Sequence, residues 1–213
     1  MSGAAPARNR VSPRGEIIAV AGRGAWLGNR GRLHEGEGSR DVVREYRSKA
    51  WLVCELSFRG RYRPQWQLGR YTQLFFLDEA VAFAAGHRPC AECRRADYNA
   101  YRAAWIATHD GPGWARDIDE QLHRERRPAG TLTELPWADL PDGVFVALDQ
   151  GDAVVAGDRL AVYGPADYAY GRHLPRPRSG IASVITPPST VAVLRAGYPV
   201  QIDDRARGGE VGP

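Results

Sequence analysis

The chain has 213 residues, of which 43% are hydrophobic, and a formal net charge of +4 at pH 7. This length suits one domain of generous size or two small ones. No stretch approaches the ~20 apolar residues that span a bilayer, and the N-terminus lacks the apolar segment of a secretory signal. Lys49 is the only lysine, so the positive charge is nearly all arginine, which binds phosphate in a bidentate manner. We therefore expect a cytoplasmic protein whose charge permits a nucleic-acid partner without requiring one.

Composition and turn signals divide the chain into four parts. Residues 1–15 are small residues with Pro and Arg, which predicts a disordered N-terminus. Residues 16–127 mix helical and strand patterns, and residues 131–200 are rich in strand patterns. Residues 201–213 read as a frayed tail. The predicted fold class is α+β, with a small α+β module that contains the Cys-x-x-Cys knuckle of residues 90–93, followed by a small β-rich, barrel-like module.

Three apolar segments predict the strands of the first module. The first is "EIIAVAGRG", which begins at residue 16, and the second is "KAWLVCELSF", which carries Cys54. The third is "YTQLFFL", which begins at residue 71. Between the last two lies "RGRYRPQWQLGR", which we predict to be a basic, aromatic loop.

Three segments after these strands predict helices. Asp78 is a suitable N-cap for "EAVAFAA", and Gly86 ends that helix. "RADYNAYRAAWIATH" places Tyr98, Tyr101 and Trp105 on one face, which indicates core packing. "ARDIDEQLHRERR" is very polar and predicts a helix on the surface.

The second module contains strand patterns separated by turns. "LPDGVFVALDQGDAVVAGDRLAVYG" has turn signals at "DQGD" and "AGDR", and "GIASVITPPST" adds a further strand. A short helix follows in "PSTVAVLRAG", with Pro188 or Ser189 near its start.

The three cysteines are Cys54, Cys90 and Cys93, and the last two form a Cys-x-x-Cys pair. In a cytosolic protein such a pair indicates metal binding or redox chemistry. A thioredoxin-type motif lies between a strand and a following helix, whereas here a helix precedes the pair. This order favours a metal. A Cys-x-x-Cys turn can place two sulfurs ~2.3 Å from one Zn²⁺.

The segment "FFLDEAVAFAAGHRPCAEC", residues 75–93, resembles the zinc-binding domain of the Ada-type methylphosphotriester repair proteins. The shared features are an aromatic strand end, an alanine-rich helix that closes in Ala-Gly, and Arg-Pro-Cys-x-x-Cys. In that family four cysteines bind zinc, and one of them accepts a methyl group from a DNA phosphotriester. The resemblance implies zinc and a role in DNA repair, with DNA favoured over RNA as the partner.

The resemblance also bears on the other metal ligands. Cys54 stands where the family has an upstream cysteine pair, and small relatives of the domain replace that pair by a histidine and a cysteine. Those relatives carry Gly-Asn shortly before the histidine, as "GNRGRLH" does here. This implies that His34 and Cys54 join the Cys-x-x-Cys pair as ligands. His87 or a water molecule are alternatives, and water would make the site catalytic.

Arginines lie on both sides of the predicted knuckle. In "ELSFRGRYRPQW" they alternate with aromatic residues, a combination that contacts phosphates and bases. The predicted nucleic-acid surface consists of Arg59, Arg61, Arg63, Arg88, Arg94 and Arg95.

Three functional hypotheses follow, because a resemblance in fold does not transfer function. The first is a zinc protein that binds nucleic acid, in DNA repair or the processing of modified DNA. The second is a zinc-dependent, hydrolase-like enzyme with an open metal position, for which Cys54 and His123 are candidate catalytic residues. The third is a zinc-stapled interaction module without catalysis.

Overall fold

A computed structural model describes residues 5–36, 38–60, 64–126 and 132–208. It contains four α-helices and two six-stranded sheets in these ranges, so the α+β class is confirmed. Both sheets and all four helices contribute to one continuous cluster of buried side chains.

The first sheet has the strand order β2-β1-β5-β3-β4-β6. Strands β1 and β5 pair in parallel, as do β4 and β6, whereas β3 is antiparallel to both of its neighbours. The strand bounds are β1 Arg8–Val11, β2 Ile17–Ala19, β3 Trp26–Asn29, β4 Leu52–Cys54, β5 Leu74–Phe76 and β6 Arg88–Pro89.

Three helices follow in this half, namely α1 Glu79–Ala84, α2 Arg95–Thr108 and α3 Ala115–Glu125. The side chain of Asp78 accepts a hydrogen bond from the Val81 amide at 2.8 Å, as an N-cap does. The aromatic stripe of α2 is buried, as predicted. Helix α3 was predicted to lie on the surface, but its Ile118 and Leu122 are buried in the core.

The second sheet has the strand order β11-β10-β9-β8-β12-β7. All of its pairs are antiparallel, and in the described part of the chain it is an open sheet rather than a closed barrel. The strand bounds are β7 Thr133–Pro136, β8 Phe145–Leu148, β9 Gly151–Ala156, β10 Arg159–Gly164, β11 Ala169–Pro175 and β12 Ile181–Val184.

The fourth helix, α4 Pro188–Arg195, returns to the first half of the molecule. It packs on α2 and α3, and Tyr101 and Thr190 share a hydrogen bond of 3.3 Å between their hydroxyl groups. The Ser189 hydroxyl donates to the Glu125 carboxylate at 2.5 Å. The two halves are therefore joined through side chains of α4.

The two ends of the chain are more ordered than the sequence predicts. Residues 1–15 were expected to be disordered, but strand β1 within them pairs with β2 and β5, and its Val11 side chain is buried in the core. Within the predicted tail, residues 204–207 form a 3₁₀ turn that buries Ala206. The Asp203 amide donates to Asp78 at 3.0 Å, which fixes this segment to the start of α1.

Among the described residues, no helix combines the length and apolar character needed to cross a bilayer.

Candidate metal centre

Strand pairing brings the three cysteines together. Cys54 ends β4, and β4 runs parallel to β6 with Val53 opposite Pro89. The Cys90 amide continues this pairing by donating to the Val53 carbonyl at 2.9 Å. The Arg94 amide donates to the Cys90 carbonyl at 3.0 Å, which closes the turn that presents Cys93. The cluster thus depends on contact between residues 36 positions apart in the chain.

The sulfur atoms of Cys54, Cys90 and Cys93 all lie within 4.8 Å of one another. Three thiolates on one tetrahedral Zn²⁺ have sulfurs ~3.8 Å apart, given Zn–S distances of ~2.3 Å. The cluster therefore fits one metal ion. Cys90 is buried, whereas Cys54 and Cys93 are half-buried, and all three line one cavity.

Hydrogen bonds in the cluster favour the thiolate form of Cys90. Hydrogen bonds from Cys54 and Cys93, helped by the backbone amides of Cys93 and Glu92, lower the pKa of Cys90. The hydrogen bond that Cys54 shares with Cys90 raises the pKa of Cys54. Without metal the sulfurs therefore share protons, and a divalent cation would replace these protons as it binds.

A cavity of about 560 Å³ opens beside the sulfurs. Its floor is one face of the first sheet, where Cys54, Leu27 and Phe75 stand side by side on β4, β3 and β5. Gly28 separates two floor residues and faces the core. A Cβ at Gly28 would lie 2.5 Å from the Phe76 ring, so the close packing on the core side requires glycine.

The remaining lining of the cavity is aromatic, amide and acidic. Phe58 and Tyr71 contribute rings, and Glu55 and Glu92 are the only charged residues among the described lining residues. The amide side chains belong to Asn29, Gln65 and Gln73.

His34, predicted as a ligand, lies outside the group of three sulfurs. It is buried, with Nδ1 2.7 Å from the Thr72 hydroxyl and Nε2 3.2 Å from the Gln67 carbonyl. Its ring also meets the edge of Trp66. His34 therefore attaches the chain around residues 66–72 to the sheet, and this chain supplies Tyr71 to the cavity wall.

The other candidate histidines have different surroundings. His87 is fully buried, accepts a hydrogen bond from Arg30 Nε at 3.1 Å and packs against Phe76. Burial lowers the pKa of His87 well below its usual value. His123 lies on α3 against Tyr46, and it is not among the described residues that line the cavity.

Two of the six predicted phosphate-binding arginines are buried in ion pairs. Arg88 donates through Nε and Nη2 to both oxygens of Asp119, each at 2.8 Å. Arg94 lies 2.6 Å from Glu79 and stacks on the Trp26 ring. Both guanidinium groups neutralise buried carboxylates inside the fold, so neither is exposed for a phosphate.

The remaining four arginines differ in position. Arg59 and Arg95 are exposed, the first beside the cavity-lining Phe58 and the second at the start of α2. Arg61 and Arg63 lie outside the described residues. The predicted six-arginine surface is thus reduced, among the described residues, to Arg59 and Arg95.

Most of the residues that line the cavity were not predicted from the sequence. One usable signal was the two-residue spacing of Leu27 with Asn29 and of Gln73 with Phe75, which places each pair on one face of its strand. The partners Asp119 and Glu79 carried no such signal, because they meet their arginines only in the folded chain.

Comparison with known proteins gave no match to a family model, to a curated protein or to a solved structure.

Proposed function

We propose that the three cysteines hold one Zn²⁺ whose fourth position opens into the cavity, and that the protein is a zinc-dependent enzyme of hydrolytic type. The observation that carries this proposal is the three-sulfur cluster at the end of a cavity of about 560 Å³. Catalytic zinc sites have three protein ligands and one exchangeable position, whereas structural sites use four protein ligands.

The chain supplies groups for proton transfer beside the proposed metal. Zinc bound at such a site supplies a water molecule whose pKa is lowered towards neutrality. Glu55 follows the ligand Cys54 directly and lines the same cavity, which makes its carboxylate our candidate for holding a proton during the reaction. Leu27 and Phe75 give this part of the cavity an apolar floor.

Metal exchange tests this proposal. Purified protein should contain one zinc per chain, and replacement by Co²⁺ should give thiolate-to-cobalt charge-transfer bands with tetrahedral d–d bands. Imidazole should then shift the d–d bands by entering the fourth position. Cys93→Ser should weaken the charge-transfer bands, whereas Ala91→Ser, a change in the same turn, should not. If imidazole leaves the d–d bands of the cobalt protein unchanged, the proposed open fourth position is contradicted.

A second candidate function is nucleic-acid binding, and the exposure of Arg59 beside the cavity favours it. Fluorescence anisotropy with short single- and double-stranded DNA measures the affinity. Each lost phosphate contact should make the log–log salt slope shallower by roughly 0.9 on duplex DNA. Charge reversal of Arg59 and Arg95 should weaken binding for all sequences alike, whereas Arg116→Glu on α3 should not. Absence of binding at low salt contradicts this candidate.

A more specific version of the nucleic-acid function is the transfer of a methyl group from DNA to Cys54. Its support is that Cys54 is half-buried and lines the cavity, so a methyl group on a DNA phosphotriester can reach its sulfur. Incubation with methylphosphotriester DNA should add the mass of one methyl group to the peptide that contains Cys54. An unmodified peptide rules this form out.

A further inference from the structure

We infer that the cavity binds an uncharged, planar, nitrogen-containing ring of the nucleobase type, with one polar ring substituent directed at the metal. The inference rests on the proposed open metal centre and names its class of ligand.

The charges of the described lining residues disfavour an anionic ligand. The described lining residues include no arginine, lysine or histidine, and the charged ones are Glu55 and Glu92. A Zn²⁺ ion on three thiolates adds a further net negative charge. Among the described lining residues, a phosphate or carboxylate inside the cavity would meet these two carboxylates and the negatively charged metal centre, and no cationic side chain.

The shape and the chemistry of the walls favour a flat ring. The walls carry the aromatic side chains of Phe58, Tyr71 and Phe75. Any planar heterocycle can stack on such rings, because each has a π-face. Leu27 and Leu52 give an apolar surface between the metal end and the rest of the sheet face. A cavity of about 560 Å³ lies within the ordinary range for small ligands.

Amide side chains provide matching groups for the ring edge. Asn29 and Gln73 come from the neighbouring segments of β3 and β5, and Gln65 also lines the cavity. Each amide offers both a donor and an acceptor, as the edges of nucleobases do. Asn29 Oδ1 accepts from the Gly31 amide at 2.8 Å, and Gln65 Oε1 accepts from Asn9 at 3.3 Å, so both amides are oriented by the fold.

Such a ring has two sources, a free nucleobase or nucleoside and an unpaired base in a nucleic-acid strand. The cavity chemistry is the same for both. The two sources differ in whether a phosphate backbone remains outside the cavity, near Arg59, while the base lies inside.

The test titrates Co²⁺-loaded protein with uracil, cytosine, adenine and their nucleosides, followed by the d–d bands and by calorimetry. At least one of these rings should bind with a dissociation constant below ~1 mM and shift the bands. Orotate, which is uracil with a carboxylate, should bind at least ~10-fold more weakly than uracil because of its charge. Equal or tighter binding of orotate would overturn the inference.

Two further arms separate the possible sources and failures. One outcome is that a short single strand of DNA shifts the d–d bands under conditions in which free nucleosides do not. That result identifies an unpaired base within a strand as the ligand. A strand that binds without a band shift, together with inert nucleosides, overturns the inference. If imidazole shifts the bands and no ring binds, the open metal centre stands and the inference fails. If imidazole also has no effect, the proposed function itself has failed.

Gln73→Leu tests the cavity wall directly. Loss of one hydrogen-bonding partner should weaken ring binding by about 10-fold, with zinc content and the imidazole response unchanged. Gln121→Leu on α3 is the matched control and should bind the ring normally. Gln73→Glu keeps the shape and is the second variant if leucine disturbs folding. Unchanged ring affinity in both Gln73 variants would contradict the inference.

Discussion

Two buried arginines, Arg88 and Arg94, neutralise carboxylates that the fold has removed from water. The side chains of Arg88 and Asp119 are 5% and 11% exposed, and two parallel hydrogen bonds join them. This geometry offsets the cost of burying both charges, since each donor and acceptor has a partner. The pair ties β6, directly before the metal knuckle, to helix α3.

Removing one member of this pair should destabilise the protein more than removing both. Arg88→Met leaves the Asp119 carboxylate buried without its partner, and we expect a loss of about 3–5 kcal/mol in the free energy of unfolding. The double variant Arg88→Met with Asp119→Leu should recover most of that loss. Urea unfolding of both variants measures the difference, with the exposed Arg95→Met as a near-neutral control. A double variant no more stable than the single one would contradict this account.

The sequence could not separate these buried arginines from phosphate-binding ones. An arginine beside a cysteine knuckle has the same local sequence in either role. The deciding partner of Arg88, Asp119, lies 31 residues away on helix α3. Cys54, by contrast, was predicted as part of the cluster from the resemblance to the Ada-type domain, because it stands where that family has its upstream cysteine pair.

Helix α1 begins at a pair of buried carboxylates that receive groups from the second half of the chain. Asp78 accepts hydrogen bonds from the Tyr170 hydroxyl at 2.8 Å and from the Asp203 amide. Glu79 accepts from the Tyr198 hydroxyl at 2.8 Å and pairs with Arg94. The first turn of this six-residue helix therefore joins the knuckle module to residues 170–203.

Stability should depend on pH through Asp78. Burial raises the pKa of Asp78 from 3.8 to about 6, so its charged form is disfavoured in the folded state. Asp78 therefore contributes about 3 kcal/mol to the free energy of unfolding below pH ~4, and this contribution is lost as the pH rises through about 6. Buried His87 has the opposite effect on stability, because its pKa is lowered in the folded state. Its contribution to the free energy of unfolding is lost as the pH falls below 6.5.

Comparison with Asp78→Asn isolates the effect of Asp78. The stability advantage of the natural protein over the variant should grow as the pH falls from 7 to 4. The exposed Asp110→Asn is the control, and its difference from the natural protein should stay constant. A constant difference for Asp78→Asn, measured by urea unfolding at several pH values, would contradict the buried-carboxylate account.

Elements with a strong local pattern were predictable, and those fixed by distant partners were not. Helix α1 was predicted from its N-cap residue and the glycine after it, and helix α2 from the spacing of its aromatic residues. Strand β1, with the sequence RNRV, looks polar and becomes a strand only because β2 and β5 flank it. The buried face of α3 was hidden by its many charges, although Ile118 and Leu122 have helical spacing.

The molecule as a whole is held together by contacts between sequence-distant halves. Tyr168 donates its hydroxyl hydrogen bond to the first sheet, where its oxygen lies 2.6 Å from the Phe75 carbonyl and 3.1 Å from that of Val11. Helix α4 packs on α2 and α3, and one core cluster extends through both halves. The proposed boundary near residues 127–131 therefore separates the two sheets in sequence, while buried contacts couple them in space.

This coupling predicts how loss of the metal affects the whole protein. The three-cysteine cluster lies at the junction of β4, β6 and α2, and α2 packs against α4. A ligand that binds only the folded state stabilises it by about 2.7 kcal/mol at one hundred times its dissociation constant. For a chain of this size that corresponds to a melting temperature higher by about 5–10 °C.

Chelation of the metal, or Cys90→Ser, should therefore lower the melting temperature of one single transition that includes both halves. Differential scanning calorimetry measures the transition, and equality of the calorimetric and van't Hoff enthalpies shows whether it is two-state. Ala91→Ser keeps all three sulfurs and should melt like the natural protein. A metal-free protein with an unchanged melting temperature would show that the cluster does not contribute to folding. Two transitions, with only one sensitive to metal, would show that the halves unfold independently despite their shared core.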